Sequence, residues 1–221
     1  MLLPMDYLAL LHRYYPEDNA LRRMLLHHSR QVCARALQIV ERHPELGANR
    51  HLVEAGAMLH DIGIFLTDAP GIHCHGTAHY ILHGSLGAQL LRNEAEQLKK
   101  EKLETEQLKK EKLQAEQLKK EKLQEVQLQE ELHFYEALAR ICERHTGTGL
   151  TRQTIIERGL PDPQQDLLPE TIEEQIICYA DKFYSKSHLE RERTIPQTLQ
   201  SLEKFGDEGV EKFRHWTELF E

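Results

Sequence analysis

The stretch Ala57-Met58-Leu59-His60-Asp61-Ile62-Gly63 sets a histidine and an aspartate side by side at the end of an apolar helical pattern. Burying that carboxylate without a partner costs several kcal/mol, so a positive charge is expected against it, and a metal ion is the simplest source. Four other segments carry ligand-type residues within helical patterns that read as core-facing: His28, His83, His145 and Asp181. Taken singly, each histidine is most simply a hydrogen-bonded core residue. Taken together, three imidazoles, the His60-Asp61 pair and a distant aspartate make six nitrogen and oxygen ligands. That set suits a dinuclear site of iron, manganese or zinc better than a closed thiolate zinc site.

The elements that must position them read as helices. Residues 6 to 15 form a short opening helix stopped by Pro16, and from Ala20 to about Arg42 the apolar residues Leu21, Leu25, Val32 and Ile39 share a stripe with His28. A helix over 50 to 62 carries His60 and Asp61, and Gly63 is placed to end it. Helical neighbours diverge by roughly 100°, so both side chains reach one ion only near that end. A loop from Thr67 to about Gly76 holds His73-Cys74-His75, a weak zinc cluster because three consecutive residues rarely converge on one ion. His83 lies on a helix from about Thr77 to Arg92, where Gly84 and Gly87 point to close approach of a neighbour. Phe134, Leu138, Ile141 and His145 again place a histidine at the end of an apolar stripe. A short helix is expected near Thr151 to Arg158. Thr171 and Glu174 form a capping box opening the helix of Asp181, with Ser185 and His188 expected further along the same side. Two amphipathic helices broken at Gly206 complete the chain. No strand alternation of any length is visible, and the fold class expected is all-α.

Residues 95 to 124 differ from everything around them, repeating Ala95-Glu96-Gln97-Leu98-Lys99-Lys100-Glu101-Lys102-Leu103-Glu104 with a ten-residue period. Glu96 before Lys100 and Glu106 before Lys110 are favourable i,i+4 pairs, so strong helix is expected. The leucines advance about 140° per five-residue step and spiral around the helix, forming no heptad seam. The expectation is a solvated charged helix over 94–131, either largely single or part of an antiparallel excursion, set on a single helical core of residues 1–93 and 132–221.

The 221 residues carry a net charge of -8, which argues against a nucleic-acid surface. Cys33, Cys74, Cys142 and Cys178 form no C-x-x-C pair and suit reduced core residues. The first residues lack a basic leader region and no apolar stretch is long enough to span a membrane, so a cytoplasmic protein without membrane contact is expected.

At this point the chain resembles the HD-domain metal-dependent phosphohydrolases of the HDIG type. The residues that carry the resemblance are His28-Ser29, His60-Asp61-Ile62-Gly63, His83-Gly84-Ser85-Leu86-Gly87-Ala88, Glu143-Arg144-His145-Thr146-Gly147, Pro169-Glu170-Thr171-Ile172-Glu173-Glu174 and Tyr179-Ala180-Asp181-Lys182. It runs from about Leu21 to Ser187 and skips the repeat. Together these residues look like the six-ligand branch that includes hydrolases of symmetrical dinucleoside tetraphosphates. The resemblance implies a helical bundle in which His28, His60, Asp61 and Asp181 hold one divalent metal and His83 and His145 a second, with Asp61 bridging. A hydroxide between the metals would then attack phosphorus in a small phosphorylated substrate, most plausibly a nucleotide, with His60 and Asp61 at the catalytic heart. Many relatives carry a basic residue directly after the HDIG glycine; here it is Ile64. Arg30, His75, His79, Arg152, Lys182 and Lys186 are the candidates to contact phosphate in its stead. Two alternatives remain open from sequence: a diiron oxygenase on the same fold, and a non-catalytic sensor or scaffold whose long helix binds a partner or a second copy of the chain.

Overall fold

In the computed structural model, which describes residues 6–110, 116–157, 159–161, 165–203 and 207–221, the N-terminal half is built from helices opened by side-chain caps. Asp6 accepts a hydrogen bond from the Ala9 N–H to open α1 (Tyr7–Tyr14). Asn19 accepts from Arg22 to open α2 (Ala20–Arg42), which buries Leu25, Val32, Ala36 and Ile39 together with His28. Asn49 does the same for α3 (Arg50–Leu59). Each cap satisfies a backbone donor that the first helical turn leaves without a partner.

The centre of the core is where α3 meets its neighbours. Gly56 faces Ile141 and Ile177, and a Cβ there would fall 2.6 Å from one Ile Cδ1 and 2.8 Å from the other. Those isoleucines belong to α5 (Glu116–Arg144) and α7 (Ile172–Asp181). The expected capping box is present at α7: Thr171 Oγ1 accepts from the Glu174 N–H, and the Glu174 carboxylate accepts from the Thr171 N–H. Between α3 and the next helix runs an antiparallel ribbon of β1 (Asp68–Ala69) and β2 (Cys74–His75), with Asp68 opposite His75. It is the only sheet among the described residues, and the fold is all-α.

Helix α4 (His83–Lys110) begins later than the sequence suggests, after a single 3-10 turn at Tyr80–Leu82, and runs without interruption into the repeat. It pairs with α5 in antiparallel fashion. Arg92 reaches both Glu136 and Glu143, while Lys102, further along, reaches Glu131. Of the two forms the sequence leaves open for the repeat, the antiparallel excursion is the one present, a two-helix arm with residues 111–115 outside the described part. Continuing α5 back into the core returns the chain to His145. Beyond it come α6 (Arg152–Glu157), α7, α8 (Ile195–Glu203) and α9 (Asp207–Phe220). Phe213 and Phe220 of α9 close on Tyr179 and Phe183, and Arg35 of α2 stacks 3.4 Å from the Phe183 ring centre. Gly206, the expected break before α9, lies outside the described residues. No helix among the described residues is long and apolar enough to cross a membrane. All four cysteines are buried and free of disulfides.

Candidate metal centre

Helix α3 stops at Leu59, so the expected helix over 50 to 62 is three residues too long. The backbone tightens there into i→i+3 bonds, Ile62 N–H to Leu59 O at 2.9 Å and Ile64 N–H to Asp61 O at 3.0 Å. That tightening solves the geometric problem of adjacent residues diverging, because His60 and Asp61 now sit on a turn whose side chains both face inward. Gly63 lets α4 dock on this turn: a Cβ would lie 2.4 Å from both His83 O and Gly87 N. Gly84 on the other side leaves room for Cys142 O, again 2.4 Å from a would-be Cβ. The Cys142 thiol in turn donates to Leu59 O at 3.2 Å. The first turn of α4 is thus clamped between the ends of α3 and α5, which fixes His83 opposite His145.

All six expected ligand residues meet in one buried cluster. His28 Nε2 lies 3.2 Å from His60 Nε2, 3.3 Å from Asp61 Oδ2 and 3.0 Å from Asp181 Oδ1. His60 Nε2 lies 3.2 Å from the same Asp61 Oδ2. On the other side His83 Nε2 and His145 Nε2 are 3.0 Å apart, and each is 3.4 Å from Asp61 Oδ1. The two oxygens of Asp61 are therefore divided between two groups of nitrogens.

Hydrogen bonding fixes the orientation of three of the four rings. His60, His83 and His145 each direct Nδ1 at the carbonyl three residues upstream, Ala57, Tyr80 and Cys142, at 2.7 to 2.8 Å. A neutral imidazole that donates through Nδ1 presents a lone pair at Nε2. Burial disfavours protonation of His83 and His145, so these two present lone pairs to each other at 3.0 Å, which cannot bond to one another, and no hydrogen bond of acceptable angle satisfies either Asp61 oxygen. This donor set, with His28, His60 and Asp181 in one compact group and His60, Asp61 and His145 in another, fits divalent cations.

The surrounding charges divide the cluster as well. Burial opposes a charged His60, but the Asp61 and Asp181 carboxylates outweigh it and raise the ring to about 9. His83, buried beside His145, is pushed down to about 3, and burial likewise lowers His145. Burial would lift Asp61 and Asp181; Lys186 with His60 in the first case, and Lys182 with His28 in the second, hold them well below the usual carboxylate range.

Of the phosphate-contact candidates, only Lys182 and Lys186 come to the cluster. Lys186 Nζ is 2.8 Å from Asp61 Oδ2, and Lys182 Nζ is 2.7 Å from Asp181 Oδ2. Arg30, His75, His79 and Arg152 are exposed and none lines the cavity beside Asp181; the His79 ring instead caps the Ile81 N–H. Ile64, in the position after the HDIG glycine, is fully buried, and Lys186 brings the charge from the opposite side. His73 and His75 are exposed while Cys74 between them is buried, so the tripeptide does not converge on a point. Because α7 ends at Asp181, Ser185 and His188 do not continue its face. A cavity of about 470 Å³ opens beside Asp181, lined by Lys182, Lys186 and two residues the sequence did not single out, Tyr80 and Arg193. Tyr80 stacks on the His83 ring, and its place three residues before a ligand was its one signal. Arg193 had none.

A family model described as the HD domain matches residues 25–185. The chain is 33% identical over 130 residues to an uncharacterized protein of Methanocaldococcus jannaschii, covering 59% of this chain and 47% of that one. It is 28% identical over 166 residues to a tRNA (cytidine(56)-2'-O)-methyltransferase of Picrophilus torridus, covering 75% and 33%. A protein of the same name from Thermoplasma volcanium is 25% identical over 203 residues, covering 92% and 42%. The chain spans less than half the length of each of these relatives. No solved structure matches it.

Proposed function

Because the chain belongs to the HD-domain family, we propose that it is a metal-dependent phosphohydrolase cleaving a phosphoester or phosphoanhydride of a small nucleotide-like molecule. The observation that carries this reading is the division of Asp61, with Oδ2 toward His28 and His60 and Oδ1 toward His83 and His145. His28, His60 and Asp181 would hold one cation and His83 and His145 a second, with Asp61 facing both groups. When bound, divalent cations would supply acidification of a water and uptake of charge on phosphoryl oxygens.

The protein's own residues supply orientation and charge. The three carbonyls that accept from Nδ1 lock the rings of His60, His83 and His145 so that each nitrogen meets its cation without rotating. Lys186 and Lys182, both kept protonated by their aspartate partners, set positive charge on the wall of the cavity where a phosphoryl group enters. Arg193, whose Nη1 donates to Lys182 O at 3.1 Å, adds its positive charge at the same cavity. The small-molecule class follows from the confined cations in a chain of net charge -8, a balance unsuited to holding a long RNA backbone. The methyltransferases named above remain distinct from this reading, since the match accounts for 33% and 42% of their lengths.

The test is release of phosphate or nucleotide from a panel of nucleotides, dinucleoside polyphosphates and cyclic dinucleotides with Mn(II) or Fe(II) supplied, against an Asp61→Ala control. Release that requires both metal and Asp61 is expected. Silence across the panel with metal bound would sink the assignment, and oxygen consumption under the same conditions would favour a diiron oxygenase.

A further inference from the structure

A second cavity of about 450 Å³ lies against the first and shares Gly71, Ile72, Lys186 and Ser187 with it as a common wall. Lys186 ends 2.8 Å from Asp61 Oδ2, so the outer cavity is one lysine side chain away from the centre. Its remaining polar lining is basic or neutral: Arg23 and His27 from α2, and His73 from the turn between β1 and β2. Among the described residues no carboxylate lines it, although the chain as a whole carries a net charge of -8. Arg23 Nη1 pairs with the Asp18 carboxylate at 3.1 Å and donates to Asp18 O at 2.8 Å, but both side chains are more than half exposed, the exposed ion pair contributes little, and the other guanidinium N–H groups are left for an anion. His73 is the one described residue other than glycine with positive φ, at 64°. Glycine would hold that conformation with less strain, and the strained residue stands at the cavity with an imidazole.

We propose that the substrate bears a second phosphate, seated in this outer cavity on Arg23, His27 and His73, while its scissile phosphoryl group lies at the Asp61 centre with Lys186 between the two. The inference rests on the phosphohydrolase reading and narrows its substrate class to molecules phosphorylated at two separated positions. A monophosphate fills only the inner site.

Alkane-1,n-bisphosphonates test this, because their P–C bonds resist hydrolysis and their length can be stepped one methylene at a time. Binding is measured by calorimetry at fixed free Mn(II), with methylphosphonate as the single-headed reference. One chain length should bind at least about tenfold tighter than methylphosphonate, with shorter and longer homologues weaker on either side. The triple variant Arg23→Gln, His27→Gln, His73→Gly should bring that optimum to within about twofold of methylphosphonate, whose own affinity stays put. Glycine at 73 suits the local backbone, so the variant keeps the turn. A flat series, or an optimum that the triple variant leaves intact, would overturn the proposal. If methylphosphonate binding is indifferent to Asp61→Asn, it is the phosphohydrolase reading that fails. The outer cavity then stands if the triple variant abolishes bisphosphonate binding and falls if it does not.

Discussion

The two ends of the α4–α5 pair obey different physics. At the core end, α4 begins in backbone contact with the turn after α3 and with Cys142 of α5, distances that admit no Cβ. The carboxylates of the cluster there are buried, with Lys186 against Asp61 and Lys182 against Asp181. At the far end, a half-exposed Lys102–Glu131 pair and the buried Leu128 hold the helices together, while Leu103, Leu123 and Val126 face solvent. A ten-residue unit can be copied along such a surface because few of its positions must meet a particular neighbour. The core end tolerates no such copying, since its geometry is fixed by three elements at once.

This contrast orders the expected effects of mutation. His60→Ala and Asp61→Asn should each lower divalent-metal affinity by more than about 100-fold in a calorimetric titration, because each removes a donor that neighbouring ligands cannot replace. Gly63→Ala should cost about 2 kcal/mol or more of unfolding free energy in urea, since its Cβ collides with backbone atoms of His83 and Gly87, and it should weaken metal binding by moving His83. Tyr15→Phe removes the buried hydroxyl that donates to Ile62 O at 2.7 Å and should cost about 1 kcal/mol. Lys102→Ala should cost less than about 0.5 kcal/mol, and less still in high salt. A Lys102 variant as damaging as the Tyr15 variant would break the contrast. Excision of much of the arm with metal affinity unchanged would sharpen it.

Much of the core end was legible in the sequence because each ligand closes or rides an apolar helical stripe, and because Gly63, Gly84 and Gly87 stand where bulk would be excluded. How His60 and Asp61 both turn inward was not legible, since the early stop of α3 depends on the docking of α4. Nor was the pairing of Lys186 with Asp61, 125 positions apart, or the presence of Arg193 at the cavity; both arise from how the chain turns after α7. The arm reads differently again. Its i,i+4 charge pairs announce helix correctly, but residues 94–131 contain no glycine or proline to mark a reversal, and spiralling leucines give no seam from which to infer a partner helix. The pairing is set from the core side, where Arg92 bridges to Glu136 and Glu143.

The most direct test of the account is the metal content of the purified protein after loading with Mn(II) and removal of excess ion, read by mass spectrometry. Six candidate ligands, with the two Asp61 oxygens facing different histidine pairs, predict two equivalents per chain in the unmodified protein and a clear loss in Asp61→Asn. Only trace metal in the unmodified protein, or an undiminished two equivalents in the variant, would contradict it.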